Sequence, residues 1–372
     1  MAKQHKFFAV VIPGLERIAA RELESLSAHD INIEYGGISF SGTMPLLYRV
    51  NLRARTITRV LMRLRTFRSM TLEGLKYDLE KVAWHVFFDE NTKLEVEVSA
   101  HHSRLHHSDE IAAFSKETIL KCLPKIGSKA QLHTQTLHIR IDNNRGVLSL
   151  DTSGERLDRR GYRLESGKAP LRETIAAAMI QWAGWKPEQS LLTPMCGSGT
   201  IAIEAALMSL NRAPNLEHDF SFLHFASFKE KEFKVVYDKC LAMDKNAPLH
   251  ISASDNHDSA LETCAKNIKR AGIEHSISVE KLDIHQLTKP TTEHGGVLIL
   301  NPPYGLRIGD EKKVLSLWVD MGKVLHEQFI GDDTWKTVII CPDASHEKAL
   351  HVPVKKRLKL KHGGLDAMLL EV

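Results

Sequence analysis

Hydrophobic positions recur with two different periods along this chain, and the change of period divides it. Residues 6–12 read as a strand. Gly14 to Ser27 reads as a helix, with Leu15, Ile18, Ala19, Leu23 and Leu26 at helical spacing. Ile31 to Phe40 alternates apolar and polar, as a half-buried strand does. Residues 43–53 look helical, and Thr56 to Phe67 reads as a long strand. Thr71 to Val86 is expected to be helical, Lys93 to Val98 a strand, and Asp109 to Leu123 an amphipathic helix whose acidic start suits the helix dipole. Strands at Thr136 to Asp142 and Val147 to Asp151 flank Asn143-Asn144-Arg145-Gly146. Asn and Gly tolerate positive φ, so that linker predicts a hairpin.

After a polar, arginine-rich connector from Ser153 to Lys168, strands and helices alternate. Helices are expected at 171–183, 199–210, 258–271 and 312–328, and strands at 190–194, 250–254, 277–282, 296–300 and 336–341. Two strand-like pieces follow, near 353–361 and 366–372. Such alternation predicts an α/β domain: a mainly parallel sheet with helices on both faces and an antiparallel edge made by the last two strands. Three domains are expected, spanning 1–67, 68–153 and 154–372, the first a small α+β unit.

Composition narrows the class. The 372 residues are enough for two or three domains with ample core, and 43% hydrophobic with 26% charged residues is ordinary for a soluble globular protein. The formal net charge of +4 is unevenly spread. Residues 1–160 hold 24 Lys and Arg against 19 Asp and Glu, whereas the remainder holds 26 against 27. Cys122, Cys196, Cys240, Cys264 and Cys341 are scattered, odd in number and without a Cys-x-x-Cys pair. They argue against a disulfide framework or zinc ribbon and for reduced thiols in a cytoplasmic protein; no metal is expected. The apolar run Phe7 to Pro13 is too short for a signal peptide, and no later stretch is long enough to span a bilayer.

Four strand ends in the last domain carry candidate chemistry. Strand 190–194 runs into Pro194-Met195-Cys196-Gly197-Ser198-Gly199-Thr200, a turn opening a helix. Gly197 and Gly199 remove side chains where a ligand would lie against the peptide, although a lone Gly-x-Gly also fits an ordinary turn. Asp255, one βαβ unit onward, is placed to accept hydrogen bonds from ribose hydroxyls. Asp283 ends the next strand and could receive an adenine amino group; Asp258 is expected to cap a helix.

The buried-looking run Val297 to Leu300 then delivers Asn301-Pro302-Pro303-Tyr304 to a loop. An exocyclic purine amine is a poor nucleophile because its lone pair is delocalised into the ring. The Asn301 side-chain carbonyl and the Pro302 backbone carbonyl can accept its hydrogens and orient the lone pair, Pro302 and Pro303 stiffen the loop, and Tyr304 can stack on the base. The same residues would also fit a rigid surface turn. Arg49, Arg53, Arg55, Arg59, Arg63, Arg65 and Arg68 form a one-sign run that suits phosphate contact. A second cluster, Arg156, Arg159, Arg160 and Arg163, lies on the connector. His101-His102 and His106-His107 read as solvated loop histidines.

Asp158-Arg159-Arg160-Gly161-Tyr162-Arg163, Ala169-Pro170-Leu171-Arg172-Glu173-Thr174 and the segment from Pro194 to Ala206 closely resemble the THUMP-domain RNA methyltransferases. The bacterial 23S ribosomal RNA guanine-N2 methyltransferases are the nearest likeness. Asn301-Pro302-Pro303-Tyr304-Gly305 and Gly364-Leu365-Asp366-Ala367 fit the same family. That resemblance implies a ferredoxin-like segment over 1–67, a THUMP-type RNA-binding module over 68–153, and a Rossmann-like class I methyltransferase domain over 154–372 that uses S-adenosylmethionine. It further implies that Pro194, Cys196, Gly197 and Gly199 line the methionine side of the cofactor, Asp255 binds its ribose and Asp283 its adenine. Ala169, Pro170, Leu171 and Thr174 would pack beside it, and Asn301, Pro302 and Tyr304 would hold the target amine. Two positions depart from the family's pattern: Thr193 stands where Asp is usual, and His257 where an acidic residue is common. Some members fuse a second methyltransferase domain; ending at Val372, this chain is not expected to carry a second activity.

The residues together with the resemblance leave three readings open. The favoured one is guanine-N2 methylation of RNA, with 23S rRNA as partner. Adenine-N6 methylation of DNA or RNA is the second. An RNA-binding or assembly protein with a weakened catalytic domain, supported by Thr193, is the third. The sequence sets no oligomeric state.

Overall fold

A computed structural model describes residues 3–130, 132–164, 171–245, 249–303 and 311–372. In chain order the first elements are β1 (His5–Val11), α1 (Glu16–Ser25), β2 (His29–Glu34), β3 (Gly37–Gly42), α2 (Met44–Arg53), β4 (Ile57–Arg68), α3 (Leu72–Glu80), β5 (Thr92–His101), α4 (Ser108–Cys122), β6 (His133–Asp142) and β7 (Arg145–Asp151). There follow α5 (Glu173–Ala183), β8 (Ser190–Pro194), α6 (Thr200–Ser209), α7 (Glu230–Leu241), β9 (Ile251–Asp255), α8 (Asp258–Arg270), β10 (Ser278–Lys281) and β11 (Gly296–Leu300). The last are α9 (Glu311–Gln328), β12 (Trp335–Cys341), α10 (Ala344–Leu350), β13 (Lys356–His362) and β14 (Leu365–Glu371). Contacts divide these into two compact units. One holds residues up to Val11, Ala20–Leu157 and Asn215–Lys239; the other holds Ile12–Ala19, Asp158–Pro214 and Cys240–Val372.

A single seven-stranded sheet, in the order β2-β3-β1-β4-β7-β6-β5, builds the first unit. Strands expected in 1–67 and in 68–153 therefore share one sheet, joined where β4 pairs antiparallel with β7. Asn143 and Asn144 turn the β6–β7 hairpin with φ of 50° and 59°, the left-handed pair that a tight hairpin demands. The run expected to be one strand from Ile31 to Phe40 is instead a hairpin. Its two arms, β2 and β3, are antiparallel, and Gly36 at φ 75° makes the turn between them. The alternation of apolar and polar residues carries on across such a turn, so it does not reveal the break. Helix 71–86 likewise stops at Glu80, and only a short 3-10 turn, Trp84–Val86, follows.

Residues 215–239 return to this first unit, which periodicity did not show. The Asn215 side chain donates to the Asn51 carbonyl at 2.8 Å, and Gln135 donates to the Ser221 carbonyl at 2.9 Å. Tyr48 packs against Phe222 with ring centroids 4.8 Å apart and edge-on to Phe233 at 5.5 Å. Aromatic burial of this kind anchors the segment.

The second unit follows the predicted pattern closely. Its sheet runs β10-β9-β8-β11-β12-β14-β13, parallel from β10 through β12, with β14 and β13 antiparallel at one side. Alternate residues show that both faces are covered. Leu192, Leu298, Leu300, Ile339 and Leu370 pack with Val314, Trp318, Met321 and Leu325 of α9 in one buried cluster. Leu191, Val297, Ile299, Val338 and Leu369, pointing the other way, are buried as well. All five residues of β11 are buried, as expected of a central parallel strand with helices on both sides.

Candidate active site

Parallel pairing brings the carboxyl ends of β10, β9, β8 and β11 to one edge of the second sheet, and the candidate chemistry lies there. After β8, Met195, Gly197 and Gly199 adopt φ of 52°, 54° and 79°. This alternation of left-handed residues folds the turn tightly. A Cβ on Gly197 would meet no heavy atom within 4 Å, so its peptide faces open space. A Cβ on Gly199 would sit 2.5 Å from the Cys264 sulfur, so that glycine allows α8 to approach. Gly199 also caps α6 without any side-chain hydrogen bond, which leaves first-turn amides for an anionic group.

Three neighbours brace the turn. The Cys196 amide donates to the Ser254 carbonyl at 2.9 Å, and the Gly197 amide donates to Asp255 Oδ2 at 3.0 Å. Asn267, fully buried in α8, donates from its side-chain amide to the Ser198 carbonyl at 3.0 Å. A hydrogen bond with Cys264, together with burial, holds the Cys196 thiol well above its usual range.

Asp255 and Asp283 stand at the next two strand ends. Asp255 is buried, and its Oδ1 accepts from the His257 amide at 3.0 Å. Oδ2 thus spends one lone pair on the backbone and retains another, whereas Oδ1 is also in contact with the His257 ring nitrogen. The His257 ring is exposed and stands 3.4 Å from Asp255. Asp283 caps a 3-10 turn and accepts from Asn256 at 3.1 Å and from the ring of His285 at 2.5 Å. Hydrogen bonds from the His285 amide and ring hold its carboxyl below the usual range. The other ring nitrogen of His285 lies 3.5 Å from Asp320 of α9, and the bond with Asp283 raises the imidazole's pKa.

Asn301 leaves β11 beside the glycine turn, since β11 and β8 are parallel neighbours. Its Oδ1 is buried and has no hydrogen-bond partner among the described residues. A buried acceptor left unpaired carries a desolvation cost and is uncommon, which marks it as built to receive a donor. Pro302 is buried, and the Pro303 carbonyl accepts from the Trp318 indole at 3.2 Å. Trp318 itself is fully buried in α9, so the loop is pinned from beneath.

A buried polar cluster sits before these loops in sequence. Arg163 donates to the Leu171 carbonyl at 2.6 Å and to Glu173 at 2.8 Å, and lies 3.5 Å from the Thr200 hydroxyl. Tyr162 donates to Glu204 at 3.1 Å, with Arg160 3.6 Å from the same carboxylate. Burial pushes the Glu173 carboxyl up to about 7, against the pull of Arg163. Leu171 and Thr174 are buried, and the Thr174 hydroxyl has no partner among the described residues. Thr193, where the family usually has Asp, turns its hydroxyl to the Ser252 carbonyl at 3.2 Å and is held within the sheet.

Of the residues singled out from sequence, Leu171, Thr174, Pro194, Cys196, Gly197, Gly199, Asp255, Asp283, Asn301, Pro302 and Pro303 are described. Ala169, Pro170 and Tyr304 lie outside the described residues. Sequence reasoning missed Asn267, Trp318 and His285. An Asn on the buried side of α8 was the available signal for the first; the other two reach their partners only through the fold.

The basic run on β4 behaves differently from its expectation. Arg59 pairs with Asp151, Arg63 with Glu34 at 3.2 Å and Arg65 with Asp78 at 2.6 Å. Most of that run is therefore spent inside the first unit.

Residues 160–371 match the RMKL-like methyltransferase domain, and residues 6–61 match the RlmL ferredoxin-like domain. The chain is 33% identical over 379 residues to a Synechocystis protein named as an RNA methyltransferase, covering all of this chain and 97% of that one. It is 31% identical over 371 residues to ribosomal RNA large subunit methyltransferase K/L of Vibrio cholerae. That match covers 97% of this chain but 52% of the relative, so the chain spans about half its length. Among solved structures, the methyltransferase SMU.472 complexed with S-adenosylhomocysteine superposes with a TM-score of 0.89 at 28% identity, covering 100% of this chain and 98% of that one. A Listeria monocytogenes protein described as a predicted N6-adenine-specific DNA methylase gives 0.89 at 27% identity, covering 99% and 96%.

This is the architecture of a methyltransferase that takes its methyl group from S-adenosylmethionine. Within that class, the chain belongs to the family of the RMKL-like methyltransferase domain.

Proposed function

We propose that this protein methylates the exocyclic N2 of guanine in RNA, with 23S rRNA of the large ribosomal subunit as its target and the cytoplasm as its place of action. The observation that carries the reading is the buried, unpartnered Oδ1 of Asn301 at the end of β11, beside the glycine turn of β8. Relatives named as RNA and large-subunit rRNA methyltransferases support the substrate class.

The roles follow from chemistry and place. Gly197 leaves its peptide approachable, and with Pro194, Cys196 and Gly199 it would hold the methionine part of the cofactor against the α6 N-terminus. Asp255 Oδ2 retains a lone pair for a ribose hydroxyl, and Asp283 would accept the adenine amine. Leu171 and Thr174 would pack beside it, as would Ala169 and Pro170. S-adenosylmethionine supplies an electrophilic methyl group when bound. Asn301 Oδ1 would accept one hydrogen of the target amine and the Pro302 carbonyl the other, which turns the nitrogen lone pair out of conjugation. The Trp318 indole keeps the Pro303 carbonyl engaged and would hold Pro303 in place while the base enters. Tyr304 would stack on that base. Positioning and hydrogen bonding carry the rate enhancement, and the target base has to leave its stack to reach the loop.

One observation favours a second reading. The Listeria neighbour is described as an adenine-N6 DNA methylase, and an adenine amine suits the same two acceptors. Incubating the protein and labelled cofactor with RNA, and separately with DNA, from a strain lacking it, then digesting each to nucleosides, separates the two. N2-methylguanosine is the expected product. Label found as N6-methyladenosine, or only on DNA, overturns the guanine reading.

A further inference from the structure

Three arginines of the first unit escape the pairing that absorbs the rest of the β4 run. Strand register puts Arg68 of β4 directly opposite Arg145 of β7. Arg145 in turn stands opposite Asp142 of β6, and Arg140 lies two residues before Asp142 on the same face. All three arginines are exposed, and among the described residues no carboxylate forms an ion pair with any of them. Asp142 is engaged elsewhere, by His102 at 3.4 Å and the Asn143 side chain at 3.2 Å. The remaining acid on this stretch, Glu97, pairs with His138 at 3.3 Å.

Like charges directly opposite on a sheet are destabilising. Proteins tolerate them on edge strands, where charge prevents strand addition. That explanation does not cover Arg140 and Arg145, because β6 and β7 are each flanked by strands on both sides; only Arg68 lies past the β1 register, which ends at Arg63. Packing does not require the arginines either: Phe67 lies over Gly146, and Ile141 and Leu148 are buried on the opposite face. Around the arginines the face carries Thr66, Ser99, His101 and Val147, and no Phe, Tyr or Trp. A protein partner would want an apolar centre, whereas planar guanidinium forks match phosphate oxygens.

We propose that Arg68, Arg140 and Arg145 form a binding site for the phosphodiester backbone of the substrate RNA. The proposal rests on the RNA reading above and adds where the first unit would grip its substrate. With three guanidinium groups and no Phe, Tyr or Trp, the site contacts backbone and is indifferent to sequence. Phosphates neutralise the opposed guanidinia that the fold leaves uncompensated.

The test measures binding of a labelled single-stranded RNA fragment of 23S rRNA by the full chain across KCl from about 50 to about 200 mM. A triple variant, R68Q/R140Q/R145Q, is expected to bind at least about tenfold more weakly near 100 mM salt, with a log–log salt slope shallower by about two. Its affinity for S-adenosylhomocysteine stays at the wild-type value, which shows that the second unit is folded, and an unchanged far-UV circular dichroism spectrum shows the same of the first. The matching Arg→Lys triple keeps the steep slope. An unchanged slope in the Gln triple, or equal losses in the Lys and Gln triples, overturns this site while leaving RNA methylation intact. A wild-type protein with no salt-dependent RNA affinity that methylates only DNA overturns the RNA reading, and the site with it.

Discussion

Asp255 accepts the Gly197 amide at 3.0 Å, which ties the carboxylate at the end of β9 to the glycine turn after β8. A residue assigned to ribose also shapes the loop assigned to the methionine end. Asp255→Asn keeps an acceptor but removes the charge, and Asp255→Ala removes both. Titration calorimetry with S-adenosylhomocysteine should show a loss of about tenfold for the first and about a hundredfold for the second, in line with charge-assisted hydrogen bonds. Wild-type affinity in the alanine variant would contradict the assignment.

Asn267 is a positioning residue for the same turn. Its amide is buried and donates to the Ser198 carbonyl, and its Oδ1 accepts from Arg270 at 3.2 Å. Asn267→Ala leaves that carbonyl unpaired and is expected to destabilise the fold by about 1–3 kcal/mol. The KM for S-adenosylmethionine should rise about tenfold while the saturated rate changes little. A fall in kcat at unchanged KM would point to a different role.

Trp318→Phe removes the donor to the Pro303 carbonyl and keeps most of the apolar volume. The expected result is a drop of about tenfold in methyl transfer with cofactor affinity unchanged, because the lost bond holds the target loop. Parallel losses in both would show that Trp318 supports the whole domain instead.

Glu173 makes stability depend on pH. Burial raises its carboxyl from 4.5 to about 7 while Arg163 pulls it down, with Glu204 and Arg160 also nearby. The folded protein therefore binds a proton more tightly than the unfolded chain between those values, and unfolding free energy falls as pH rises through them. Denaturant titrations at pH 5 and pH 8 should show a loss on the order of 2 kcal/mol from this group. Glu173→Gln should flatten that difference. Identical pH slopes in the two proteins would refute the sign.

Much of the second unit could be read from sequence because each of its signals is local. A β-strand followed by Gly-x-Gly and an apolar helix encodes the turn at Gly197 within a dozen residues, and Asn301 announces itself at the end of an unbroken apolar run. Long-range packing erased the same legibility elsewhere. Asn215 finds its partner at Asn51, and Gln135 reaches Ser221, across stretches of chain that no periodicity links. The β2–β3 hairpin hid inside a continuous alternation because Gly36 turned the chain without disturbing the pattern. The β4 arginines misled for a related reason: three of them meet carboxylates from other segments, and only Arg68 keeps the exposed charge that the sequence gives to the whole run.

The central claim is that the end of β11 and the turn after β8 form one methyl-transfer site. Asn301→Ala tests it most directly when transfer to RNA and binding of S-adenosylhomocysteine are measured on the same preparation. The account predicts that transfer falls by at least about a hundredfold while the dissociation constant moves less than about threefold. Transfer that survives the substitution, or a loss of cofactor binding as large as the loss of rate, would contradict it.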